Sequence, residues 1–263
     1  QHHPLRDHQA LRVILDSAHS NQNPLVGRHP TATLLFTPFL LPGSMPTDNR
    51  GQDTPPISRL ESLFMSESEA RATLERLIEG NKRFRSGQTT PQPWHEAHSR
   101  PQNPKAIILG CSDSRVPVEM IFDQGPGDLF VIRVAGNIVA PSQVGSVEFA
   151  VEQFNVPLVL VLGHSNCGAI DATMAQIKST ELDPMGHLGA IVDRIAPSIQ
   201  DLMEGADHLD KDELVHRCMR ANVRASVNQL RHGSRLLETR LEAQSLMVLG
   251  AEYELATGEV NLI

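Results

Sequence analysis

The chain has 263 residues, 40% of them apolar and 21% charged, with 18 Gly, 18 Pro and a formal net charge of −8. That composition belongs to one globular domain, or one domain with an extension, and no uninterrupted apolar run of about 18 residues is present to cross a membrane. An acidic chain without a Lys/Arg-rich run lacks the electrostatic footprint of a nucleic-acid binder. Three cysteines, Cys111, Cys167 and Cys218, are too few and too odd in number for a disulfide scaffold.

Residues 1–64 hold 8 of the 18 prolines and 5 of the 12 histidines, and their five Arg balance four Asp and one Glu. The whole −8 therefore falls on residues 65–263. Prolines 24, 30, 38, 42, 46, 55 and 56 interrupt anything longer than a turn or two around Leu11 to Leu15. The expectation is an irregular, Pro-rich extension over 1–64 and a folded domain over 65–263, with Met65 opening the well-patterned part. Thr31 to Pro42 follows Arg28 and His29 and has the look of an export signal's apolar core, but Pro38 breaks it and no small-x-small cleavage pattern lies nearby. Unpaired cysteines favour a cytoplasmic protein, with export as the alternative should residues 31–42 act in a signal.

Ser66 and Glu69 form a capping box, and Ala70, Leu74, Leu77, Ile78 and Phe84 recur at helical spacing, which predicts a helix over about Ser66 to Phe84. Short β-type runs follow at Ala106 to Leu109, Leu129 to Val134, Leu158 to Leu162 and Leu246 to Leu249. The first three are nearly continuous apolar runs, as suits strands covered on both faces. Helical patterns alternate with them at Gly145 to Phe154, Ala169 to Ile177, Leu188 to Ile195, Leu214 to Leu230 and Leu236 to Leu241, the last two broken at Gly233. Alternation of this kind means an α/β fold: a central, mostly parallel β-sheet flanked by helices. Glu259 to Ile263, after a turn at Thr257 and Gly258, read as an antiparallel C-terminal edge strand.

Two strand ends carry unusual polar clusters, Gly110-Cys111-Ser112-Asp113-Ser114-Arg115 and Gly163-His164-Ser165-Asn166-Cys167-Gly168. Ligands of open α/β sheets bind outside the carboxyl ends of the strands, so both clusters should open onto one crevice. Cys111, His164 and Cys167 then supply two thiolates and one imidazole, a set that suits tetrahedral zinc and leaves its fourth position open, as in catalytic rather than structural sites. Singly, each residue is more often core than ligand, and a Cys111–Cys167 disulfide remains the other reading. A disulfide leaves His164, Asp113 and Arg115 without a role. Cys218 lies on an apolar helical stripe with Leu214, Val223, Val227 and Leu230, and reads as core.

The strings CSDSR at 111–115 and GHSNCGA at 163–169, with DLFVIRVAGN at 128–137 between them, resemble the β-class carbonic anhydrases over about Ser68 to Ile263. The resemblance implies reversible hydration of carbon dioxide to bicarbonate by zinc-bound hydroxide. It implies one Zn2+ on Cys111, His164 and Cys167, and an Asp113–Arg115 catalytic dyad. Gln102, Phe130 and Phe149 are implied at the substrate pocket, Phe149 standing where some relatives have a Tyr. Ile108 occupies the place where another subgroup uses a Trp in an inhibitory bicarbonate site, so that regulation is not expected. A homodimer or homotetramer is implied, with the Ser66 to Phe84 helix packed on a partner and the cleft at the interface. Two rivals are carried: a related zinc hydrolase acting on carbon disulfide or carbonyl sulfide, and a non-catalytic regulatory protein in which Asp113 closes the metal site. Thiolate donation weakens the ion's field on its water, so activity should rise toward alkaline pH.

Overall fold

The structure is a computed structural model that describes residues 59–93, 99, 101–179, 186–205 and 209–263. The readings made for residues 1–58, including the turn near Leu11 and the 31–42 segment, lie outside the described residues. Five strands, β1 (Ala106–Gly110), β2 (Leu129–Arg133), β3 (Leu158–His164), β4 (Met247–Glu254) and β5 (Glu259–Leu262), form one sheet in the order β2-β1-β3-β4-β5. The first four run parallel and β5 returns antiparallel to β4, which is the α/β architecture anticipated above. All residues of β1 and of β3 are buried, the state that their unbroken apolar runs require.

Among the described residues seven α-helices accompany the sheet: α1 (Arg59–Arg85), α2 (Val118–Ile121), α3 (Pro141–Phe154), α4 (Gly168–Lys178), α5 (Gly189–Glu204), α6 (Lys211–His232) and α7 (Arg235–Glu242). Side chains alternate across each strand. Ile107, Leu109, Val159 and Val161 therefore meet Val147 and Val151 of α3, Ile170 of α4, Ile195 and Ile199 of α5, and Val223 of α6. Ile108, Leu158, Leu160 and Leu162 meet Leu77 of α1 and Val118 and Ile121 of α2 on the other face. Asn81 of α1 ties that layer to the sheet edge: its Nδ2 donates to the carbonyls of Gly258 (2.9 Å) and Ile121 (3.2 Å), and its Oδ1 accepts from Val260 N (3.0 Å). Gly80 permits the close approach, because a Cβ there would stand 1.8 Å from the Phe122 carbonyl oxygen.

Three boundaries differ most from the sequence reading. The first helix starts at Arg59 rather than Ser66. Leu60, Glu61, Leu63 and Met65 are good helix formers, and once the chain is past Pro55 and Pro56 nothing stops the helix short of them, so the Ser66 capping signal is overrun. Helix α5 continues through Pro197 to Glu204 instead of ending at Ile195, since its buried stripe of Val192, Ile195 and Ile199 spans the proline. Strand β4 runs twice as long as its apolar core suggests, because Glu252 is held by His216 (3.1 Å) and Arg220 (3.2 Å) of α6 and can enter the sheet.

Candidate metal centre

The sheet order reverses at β1 and β3: β2 follows β1 on one side and β3 lies on the other. A crevice opens at such a point beyond the strand ends, and Cys111 and His164 stand there, Cys111 one residue past β1 and His164 at the last position of β3. Cys167 enters from the turn that caps α4. Their ligand atoms, two Sγ and one imidazole nitrogen, lie within 4.8 Å of one another, and all three residues are buried. The three cysteines are free thiols, and Cys218 packs in the core as expected.

His164 is fully buried. Its Nδ1 lies 2.8 Å from the Ser165 carbonyl, an arrangement that places the ring proton on Nδ1 and leaves Nε2 as a lone pair. That Nε2 has no hydrogen-bond partner. Buried polar atoms are satisfied as a rule, so an orphaned imidazole nitrogen facing two sulfurs marks a metal ligand. The soft donor set suits zinc.

The electrostatics agree. A hydrogen bond from the Cys167 thiol, helped by His164 and the Gly136 N–H and opposed by burial, lowers the Cys111 thiol to about 4. The same shared hydrogen bond raises Cys167, so one thiolate of the pair forms readily and the second proton is held more tightly. Burial works against the His164 imidazolium, but the neighbouring Cys111 sulfur, the Ser165 carbonyl and the nearby negative charges raise it above the ordinary range. A cation placed among these atoms would take over from the protons that now hold them together.

Asp113 and Arg115 flank the crevice. Arg115 donates through its backbone N and Nε to Oδ1 (both 2.9 Å) and through Nη2 to Oδ2 (2.7 Å), and it reaches the Asn166 carbonyl at 3.2 Å. These bonds hold the Asp113 carboxyl well below the usual carboxylate range. Its Oδ2 is 3.9 Å from His164 Nε2. Arg133, which the sequence reading passed over, anchors the same loop from β2, donating to the carbonyls of Cys111 (3.0 Å) and Asp113 (2.6 Å). Its only sequence signal was a charge at the end of an apolar strand.

Two of the pocket candidates, Phe130 and Phe149, lie down the sheet from this cluster. Phe130 pairs with Ile107 on β1, four residues or about 13 Å of strand before Cys111. It packs there with Phe149 (6.2 Å between ring centres) and Phe154 (6.3 Å), and Phe149 is 50% exposed. Gln102 is exposed in the segment that leads into β1.

A family model described as carbonic anhydrase matches residues 106–260. Carbonic anhydrase 2 of Mycobacterium tuberculosis is 40% identical over 200 residues, covering 73% of this chain and 91% of that protein. The carbonic anhydrase of Mycolicibacterium smegmatis is 37% identical over 207 residues, covering 75% and 95%. Among solved structures, the β-carbonic anhydrase CcaA superposes with a TM-score of 0.58 at 28% identity over 72% of this chain and 94% of that one. CafA of Aspergillus fumigatus gives 0.56 at 27% identity, over 62% and 76%. With the thiol–imidazole cluster at the switch point of its sheet, and with these relatives along most of its length, the chain belongs to the β-class carbonic anhydrase family.

Proposed function

We propose that this chain hydrates carbon dioxide reversibly to bicarbonate and a proton, using one zinc ion on Cys111, His164 and Cys167. The observation that carries the reading is the buried, unpartnered His164 Nε2 within 4.8 Å of two cysteine sulfurs. Zinc held there would acidify a water and so supply the nucleophile. Asp113, kept ionised by Arg115, is an acceptor only; beside His164 Nε2 its Oδ2 takes the hydrogen bond of the reacting water and aims the oxygen lone pair at carbon. Arg115 engages both carboxylate oxygens and so keeps Asp113 from closing over the ligands. That pairing disfavours the non-catalytic alternative. A carbon disulfide or carbonyl sulfide hydrolase is disfavoured by relatives at 37% and 40% identity that are carbonic anhydrases, and substrate competition separates the two.

Because Cys111 and Cys167 donate two negative charges, hydration should climb toward alkaline pH. Stopped-flow hydration by the zinc-loaded chain from about pH 6.5 to about 9, with Asp113→Asn alongside, tests the reading. A rate that rises with pH and collapses in the variant supports it; a flat profile, or a variant as fast as the parent, sinks it.

The half-exposed Phe149, stacked with Phe130 and Phe154 beside the edge strand β2, is the kind of apolar surface that a second copy covers. A homodimer or homotetramer follows. Phe130 and Phe149 then serve as substrate walls for the crevice of the neighbouring copy, being too far down the sheet to line their own. Sedimentation velocity checks this, and a fully active monomer would rule it out. Three free, buried thiols suit a reducing compartment such as the cytoplasm, which cell fractionation would test.

A further inference from the structure

Helix α6 carries an amide where its packing calls for a hydrocarbon. Asn222 sits among Leu214, Cys218, Met219, Val223 and Leu230, all buried, and is itself 2% exposed. A buried amide is costly unless it is bonded, and this one donates from Nδ2 to the Gly136 carbonyl at 2.8 Å. The Gly136 N–H donates in turn to Cys111 Sγ at 3.3 Å. Gly136 is left-handed, with φ 65°, and a Cβ there would stand 2.7 Å from Ile195 Cδ1 and 3.0 Å from Ala169 Cβ. Only glycine lets this peptide reach the sulfur. One turn along α6, the buried Ser226 Oγ donates to the next carbonyl, that of Asn137, at 3.1 Å.

We propose that Asn222 is a positioning residue of the metal centre: by holding the Gly136 carbonyl it aims the Gly136 N–H at Cys111 Sγ and so sets how strongly that thiolate donates to zinc. The proposal rests on the metal-site reading above. A hydrogen bond to a ligating sulfur draws charge from it, and groups that orient ligands in this way govern both affinity and the ion's electronic character. Asn222 touches neither metal nor substrate. Its effect passes through one glycine, whose N–H and carbonyl lie in successive peptide planes joined at its Cα, so that holding the carbonyl restrains the N–H. Ser226 braces the neighbouring residue without a bond to the sulfur, which makes it the natural control.

The test uses the full chain and compares Asn222→Ala, the nearly isosteric Asn222→Leu, which cannot donate, and Ser226→Ala. Zinc affinity is measured by chelator competition, the thiolate-to-metal charge-transfer band in the cobalt-loaded protein, and Tm in the metal-free protein. Both Asn222 variants should bind zinc about 10- to 100-fold more weakly and move the cobalt band, while Ser226→Ala lowers Tm and leaves both metal readouts unchanged. A folded Asn222 variant with parental zinc affinity and an unmoved band overturns the proposal. Equal metal losses in Ser226→Ala do so too, by assigning the effect to general loop packing. If neither Asn222 variant folds, the parent chain loaded with cadmium-113 decides: a scalar coupling between the Gly136 amide and the metal across the N–H···S bond is expected, and its absence overturns the proposal. A parent chain that binds no zinc overturns instead the metal-site reading on which the proposal stands.

Discussion

The molecule contains two Arg–Asp pairs of nearly the same length, Arg115–Asp113 at 2.7 Å and Arg83–Asp123 at 2.6 Å, and they do different work. Asp113 receives every one of its side-chain bonds from Arg115 and faces His164 from the open side of a crevice. Asp123 is 3% exposed and is consumed by the fold: Arg83 holds Oδ2, and Thr90 donates from its backbone N to Oδ1 (2.8 Å) and from its hydroxyl to Oδ2 (3.2 Å). Burial pushes the Asp123 pKa up, but Arg83 and Thr90 outweigh it, so both carboxyls end below their ordinary range. A depressed carboxylate is therefore no mark of function by itself. What separates the two is the neighbour, an unpartnered metal-type nitrogen in one case and a threonine in the other.

The sharpest way to break this comparison is to exchange the losses. Asp113→Asn should cut hydration on the order of 100- to 10,000-fold while zinc content and Tm stay near the parent's, as read by stopped flow, metal analysis and calorimetry. Arg83→Ala should do the reverse, leaving the rate unchanged and lowering stability by about 1–2 kcal/mol, a modest figure because the guanidinium is 38% exposed and solvent screens part of its pairing. Urea titration reads it. If instead Arg83→Ala slows hydration at unchanged zinc content, the division between the two pairs fails.

A finer test lies in acid. Because the folded pKa of Asp123 is depressed, its contribution is complete above the unfolded value of about 4 and is lost as pH falls through the lower folded value. Unfolding stability of the parent should drop as pH is taken below about 4, and Asp123→Asn should flatten that drop. The smallest effect belongs to the third thiol. Cys218→Ala should leave zinc binding at parental strength and cost about 1 kcal/mol from the volume lost in the core, which contrasts it with Cys111 and Cys167, whose loss should abolish tight zinc binding.

Much of this was legible in the residues. Continuous apolar runs announced β1 and β3 because a strand covered on both faces has no reason to alternate, and the polar clusters after them announced the thiol–imidazole group because strand ends in such sheets face one crevice. The end of β4 was not legible, since Glu252 and Glu254 look like solvent until α6 supplies His216 and Arg220 and the turn after β3 supplies Ser165, whose hydroxyl donates to Glu254 at 2.8 Å. Nor was the continuation of α5 through Pro197, where tertiary burial overrides a local penalty.

The sequence by itself determined the fold class, the donor types and their spacing, because these depend on local periodicity and on which atoms a short segment carries. Only the tertiary structure decided which strands became neighbours, that Arg133 braces the loop, and that Asn222 reaches Gly136 from 86 residues away. Those contacts depend on strand order and on helix packing across the sheet, and no local pattern in the chain encodes a distance between segments so far apart.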